Sequence, residues 1–258
     1  MLDFDPRALP IEFSIPSVDR AEVLRYLGYT RQAITPELDE RIDQNIERAL
    51  AVSRARGCMR IFLLEDAPVL EDPSDALGEK GSEPEAPFVA HLQDSAVKLA
   101  GNSMQTYLQD AVAVGIGAVS LGMENERELR KLSLTNDLDH IIFDAASTAV
   151  VERAADALEA RIVNVAAAQG LYTSYRFSPG YGDLSLDVQP QLLKALDAER
   201  KLGVKLSSTL LMSPTKSVSF LVALFDTPQK TSHLSCKGCI CYDFCLLRPT
   251  GRTCYVRR

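Results

Sequence analysis

One nine-residue stretch gathers side chains that could hold a charged ligand: Tyr175-Arg176-Phe177-Ser178-Pro179-Gly180-Tyr181-Gly182-Asp183. Arg176 offers a planar, permanently charged fork that suits a carboxylate. Pro179 fixes φ and Gly180 admits positive φ, so a tight turn is expected at Ser178-Pro179-Gly180. Such a turn presents backbone donors and acceptors and brings Arg176 and Tyr181 into one neighbourhood. An ammonium or sulfonium in the same ligand would want an aromatic face or a carboxylate. Tyr181 is a candidate for the first and Glu152 for the second. On spacing alone the stretch also reads as an ordinary structural turn.

A second group of reactive residues lies near the far end. Five of the six cysteines follow the pattern Cys236-x2-Cys239-x-Cys241-x3-Cys245-x8-Cys254, and Cys58 stands apart. In a reducing compartment such a cluster reads as metal or redox chemistry before disulfides. Four thiolates suit zinc or an iron–sulfur cluster, and without an intervening His the spacing does not separate the two. Free or incidentally paired thiols are the plain alternative. Lys230, Lys237, Arg248, Arg252, Arg257 and Arg258 surround the cluster, against Asp243. Cations beside thiols lower their pKa and favour metal binding. The histidines, His91, His140 and His233, show no spacing of a metal site or a triad and read as structural or exposed.

The elements that must position the first group are legible around it. From Asp137 to about Ala168 runs a long helical pattern without Gly or Pro, small or apolar from Phe143 to Val151 apart from Asp144. It should be central and mostly buried, with Glu152 at the end of that run. Residues 171–177 read as a strand leading into the turn. Residues 188–200 read as a helix with Leu192, Leu193, Ala195 and Leu196 on its apolar stripe, ended by Gly203. Residues 204–212 and 218–225 read as strands joined by Ser213-Pro214-Thr215-Lys216-Ser217, which predicts an antiparallel hairpin.

Upstream, three prolines in the first sixteen residues predict an extended arm. Asp19-Arg20-Ala21-Glu22 is a capping-box pattern before a helix that Gly28 stops. Thr35-Pro36 opens an amphipathic helix with Leu38, Ile42, Ile46 and Leu50 inward and Arg41 and Arg48 outward, ended by Gly57. Strands are expected at 59–64, 88–92 and 97–99, a short helix from Asn102, and a buried strand at 111–121. Gly115 and Gly117 in that strand lack the third Gly of a dinucleotide fingerprint, and no phosphate loop follows. Residues 124–132 read as a charged helix. The stretch 65–87 has eight acidic residues, one Lys and Pro68, Pro73, Pro84 and Pro87, and reads as a solvated loop.

At 258 residues the chain can bury a sizeable core. Helices and short strands without strict alternation favour α+β, with a largely antiparallel sheet, over a doubly wound fold. The expected organisation is an N-terminal arm and helix over 1–34, an α+β domain over 35–226, and a Cys-rich basic tail over 227–258. A net charge of −7 argues against nucleic acid as the main partner. Residues 1–5 carry no basic, apolar leader, and the apolar run 111–119 is too short to span a bilayer. A cytoplasmic protein, not bound to a membrane, is expected.

The stretch 171–224, with Arg176-Phe177-Ser178-Pro179-Gly180-Tyr181, Leu202-Gly203-Val204-Lys205-Leu206 and Met212-Ser213-Pro214-Thr215-Lys216-Ser217-Val218-Ser219, closely resembles the reactivation domain of cobalamin-dependent methionine synthase. It looks more like free-standing proteins of that type. The resemblance extends back through Leu121-Gly122-Met123-Glu124, the long helix and Val23-Leu24-Arg25-Tyr26-Leu27-Gly28-Tyr29, and so reaches to about Phe225. It implies that the Arg-x-x-x-Gly-Tyr segment binds S-adenosylmethionine. Arg176 would hold the methionine carboxylate, the backbone at Ser178 and Gly180 the adenine or amino-acid part, and Tyr181 would line the site. Glu152 is the position that aligns with the family's helix Glu.

The implied role is a reactivation subunit, a component of methionine synthase (methyltransferase) activity. It would perform reductive methylation of cob(II)alamin on a partner corrinoid protein, with a reductant such as flavodoxin or ferredoxin. Cobalamin would come with the partner. The large synthases lack such a Cys tail, so an electron-relaying iron–sulfur cluster there is an expectation from chemistry alone. Two alternatives stand beside this reading: a non-enzymatic metal-stapled scaffold that docks to a corrinoid protein, and an S-adenosylmethionine-dependent methyltransferase with another substrate. The cysteine spacing is not the Cys-x3-Cys-x2-Cys of the radical type.

Overall fold

Two segments are apolar on both faces, and they become the centre of the sheet. Strand β5 (Ala113–Ser120) is buried at every residue and β9 (Ser217–Phe225) at nearly every one. They pair antiparallel along their length, Ala113 opposite Leu224 and Ser120 opposite Ser217. Strand β2 (Arg56–Leu63) lies on the other side of β5, β1 (Pro10–Glu12) covers the edge of β2, and β6 (Tyr172–Thr173) pairs with β9. The order is β1-β2-β5-β9-β6, antiparallel throughout. These relations come from a computed structural model that describes residues 2, 4–29, 32–65 and 88–229.

Period-two alternation then builds two cores. Ile61, Val119, Phe220, Val222 and Leu224 face one way, onto helix α5 (Asp137–Ala168). Val114, Ile116, Leu221, Ala223 and Phe225 face the other, onto α3 (Asn102–Tyr107), α6 (Gln189–Leu196) and α7 (Ala198–Leu202). The result is a sheet between two helical layers. Helices α1 (Arg20–Tyr26), α2 (Pro36–Val52) and α4 (Met123–Thr135) pack onto α5. The α5 pattern read from the sequence is matched at both ends, and Asn136 caps it by accepting from the Asp139 amide at 3.1 Å.

Close packing of α5, and of Phe220 on the neighbouring strand β9, explains the two glycines of β5. A Cβ at Gly115 would stand 2.8 Å from Ile162 Cγ2, and one at Gly117 2.6 Å from Phe220 Cζ. They serve helix–sheet packing. The mixed helices and antiparallel sheet agree with the expected fold class.

Four local expectations need correction. Gly57 does not end α2, which stops at Val52; it lies inside β2, where a Cβ would meet Val119 Cγ1 at 2.9 Å. The helix expected at 188–200 is broken at Asp197, which takes the left-handed conformation at φ 55 and divides α6 from α7. The hairpin of 204–212 with 218–225 does not form. Instead β7 (Lys205–Leu206) and β8 (Met212–Ser213) pair with each other, because the turn at 207–211 folds the first segment back on itself through the Ser207 amide to the Leu211 carbonyl. Strand β9 is too fully buried to sit on such an edge and goes to β5. Arg41 and Arg48 do not face away from the protein: they pair with Asp139 and Glu128 on the neighbouring helices. The remaining short pair, β3 (Val89–His91) and β4 (Lys98–Ala100), forms where strands were expected. Residues 66–87 of the acidic stretch and the whole cysteine cluster lie outside the described residues.

Candidate functional site

Residues 172–177 run along β9 as its last neighbour. The Ser174 amide reaches the Ala223 carbonyl at 2.9 Å, and Phe177 exchanges two bonds with Leu221 at 2.9 and 2.7 Å. Alternation along this segment sends Tyr175 and Phe177 to the α3 side and Arg176 to the α5 side. Tyr107 of α3 packs on both aromatic rings, at 5.5 Å from Tyr175 and 5.1 Å from Phe177. Its hydroxyl donates to the Tyr175 carbonyl at 2.6 Å and accepts from the Ala223 amide at 3.0 Å. Burial pushes the Tyr107 phenol well above its ordinary pKa.

On the opposite side Arg176 meets α5. Its Nη2 lies 3.3 Å from Glu152 and 2.9 Å from Asp156, and its Nε lies 3.3 Å from Glu159. The guanidinium carbon stands 5.5 Å from the Phe220 ring centroid. The side chain is 21 % exposed, and Nη1 is buried without a hydrogen-bond partner among the described residues. Arg153 also lies 3.7 Å from Asp156, so three carboxylates meet two guanidiniums and this face stays net negative, which favours a cationic ligand group.

Beyond Arg176 the chain turns sharply. The Gly180 amide reaches the Leu184 carbonyl at 2.8 Å, the Tyr181 amide reaches the Ser178 carbonyl at 3.1 Å, and Gly180 sits at φ 88. The turn expected from Pro179-Gly180 is present. Tyr181 is 61 % exposed. The structure therefore joins Arg176 to Glu152 directly and sets Ser178, Gly180 and Tyr181 on the adjoining turn.

Two members of the acid set, Asp156 and Glu159, were not singled out in the sequence. The signal was there: Glu152-x3-Asp156-x2-Glu159 repeats one helix face at i, i+4 and i+7. The same face continues towards the helix start, where Lys216 Nζ lies 2.8 Å from Asp144 and from Thr148 Oγ1. A surface hollow of about 680 Å3, lined by Leu64, Phe88, Gln105 and Val112 among others, lies elsewhere; no residue of 176–183 lines it.

No family model matches the sequence, and no curated protein matches it. Among solved structures, the chain is similar to one described as the crystal structure of the MetH reactivation domain bound to AdoHcy, S-adenosylhomocysteine. The match covers 95% of this chain and 88% of that one, with a TM-score of 0.58 and 15% sequence identity. The chain thus has the fold of a methionine synthase reactivation domain, the fold that the residues at 171–224 resemble. None of its described helices is long and apolar enough to cross a membrane.

Proposed function

We propose that this chain binds S-adenosylmethionine at the 176–181 turn and reactivates a cobalamin-dependent methionine synthase. One observation carries the reading: in this fold the Arg of the Arg-x-x-x-Gly-Tyr segment meets a face of α5 that presents three carboxylates. The Arg176 guanidinium, partly exposed, is the charge-assisted donor for the methionine carboxylate. Glu152, Asp156 and Glu159 supply negative potential for the ammonium and the sulfonium. The backbone at Ser178 and Gly180 and the exposed ring of Tyr181 complete the surface against which the rest of the ligand lies.

The reaction that follows is a transfer between two bound substrates. Cob(II)alamin on a partner corrinoid protein takes one electron from a reductant such as flavodoxin or ferredoxin. The cobalt then accepts the methyl group of the sulfonium, giving methylcobalamin and S-adenosylhomocysteine. The protein contributes proximity and orientation; the transfer needs no proton, and so no acid–base residue. The five cysteines Cys236, Cys239, Cys241, Cys245 and Cys254 lie outside the described residues. Their donor chemistry suits a four-thiolate zinc or iron–sulfur site, read by metal analysis and by visible and EPR spectra after anaerobic purification.

Calorimetry of the full chain with S-adenosylmethionine and AdoHcy is the first test. Binding by the unaltered chain and a loss of roughly tenfold or more in Arg176→Ala are expected, the scale of a charge-assisted pair. No binding by the unaltered chain sinks the reading. Methylcobalamin formation with a corrinoid protein and a reductant then separates reactivation from methyl transfer to another acceptor.

A further inference from the structure

Asp183 sits two residues beyond Tyr181 and ties the turn to the start of α3. Its carboxylate accepts from the Asn102 amide at 2.7 Å and from the Ser103 amide at 3.0 Å, and its own amide reaches Ser103 Oγ at 3.4 Å. Helix α3 has no cap of its own, because Gly101 holds the N-cap position and no local side chain bonds there. The cap comes instead from 80 residues away.

The fit leaves no slack on either side. A Cβ at Gly101 would stand 2.7 Å from Asp183 Oδ1, and one at Gly182 would stand 2.4 Å from Ser103 Oγ. Gly101 is also at φ 117, where an L side chain is strained. The other end of α3 carries Tyr107, bonded to the backbone at Tyr175. Helix α3 therefore grips the segment twice, just before Arg176 and just after Tyr181. Between those grips residues 178–182 are held by short backbone bonds of the turn.

We propose that Asp183 is a positioning residue for the ligand turn, holding Ser178, Gly180 and Tyr181 in the arrangement that receives the nucleoside ligand. The proposal rests on the reading of this turn as the S-adenosylmethionine site. Arg176 is anchored independently by α5, so the loss of Asp183 releases the turn and leaves the guanidinium in place.

Two measurements on the full chain separate the lock from its consequence. Amide hydrogen exchange at Asn102 and Ser103 reads the lock, and titration with AdoHcy reads its effect on binding. Asp183→Ala should speed both amides and weaken AdoHcy binding about tenfold, the scale of a lost helix cap. Asp183→Asn keeps an acceptor oxygen and should recover part of both. Gly101→Ala, which drives a Cβ against the carboxylate, should act in the same direction with Asp183 present. Thr106→Ala removes an exposed hydroxyl bond on the same helix and should leave both readings unchanged. Unaltered exchange at Asn102 and Ser103 in Asp183→Ala overturns the lock. Faster exchange with unaltered AdoHcy affinity overturns the positioning role. If the unaltered chain binds no AdoHcy, the ligand reading falls and the positioning role with it, while the exchange data still report whether the lock exists.

Discussion

Single side chains hold the site segment at points the rest of the fold would leave loose. Tyr107 is the clearest case. Its hydroxyl serves the Tyr175 carbonyl and the Ala223 amide at once, inside the core. Replacing it with Phe keeps the ring packing and strands both backbone groups. Tyr107→Phe should lower stability by about 1–3 kcal/mol, read from urea denaturation midpoints. It should also loosen the strand residue that precedes Arg176, which faster exchange at the Ala223 amide would reveal; an unchanged midpoint and unchanged exchange would contradict this account. Arg176 and its turn were legible as chemistry because residue types announce it. Asp156 and Glu159 share the helix face of Glu152 and Asp183 ends the opening stretch, but the sequence leaves their partners open, because folding alone brings Arg176 and the start of α3 near them.

Helix α5 does more than cover the sheet. Its apolar face packs on Phe220 and Leu158 packs near Gly117, while a second face carries the acids that hold Lys216 and Arg176. The glycines of β5 set how closely that helix lies. Gly117→Ala would drive a methyl group into the Phe220 ring, which cannot yield without moving the surface under Arg176. A loss of about 1–3 kcal/mol in thermal or urea unfolding is expected. Wild-type stability in this variant would mean that the helix can back away freely. The α5 limits were readable because a 32-residue pattern with no breaker and an Asn136 cap leaves little choice. The 204–212 segment was misread for the opposite reason. Its apolar residues suit a strand, and only the turn at 207–211, with Leu210 at φ 62, makes it a hairpin in itself.

For the molecule as a whole, hydrogen-bonded carboxylates tie stability to pH. Burial opposes ionisation of Glu126, but bonds from the Thr215 amide and side chain and from Arg130 outweigh it, and its pKa falls below the usual range. Asp139 is lowered chiefly by its bonds to Arg41, and Asp183 by Ser103 and Asn102 against the cost of burial. Folded pKa values below the unfolded ones mean stability that is present above the unfolded pKa and lost as pH falls through the folded one. Denaturant midpoints should therefore decline from about pH 5 towards pH 2, and Glu126→Gln should make that decline shallower while lowering stability at pH 7. A decline of the same slope in that variant would remove Glu126 from the explanation. Residue types and spacing by themselves determined most of the helix–strand order, the antiparallel class, the tight turn at 178–181 and the resemblance to a reactivation domain, since these depend on local periodicity and a contiguous motif. The tertiary structure alone decided which acids meet Arg176, that α3 is capped from the turn, and that β9 pairs with β5, because those outcomes depend on which distant surfaces are buried together.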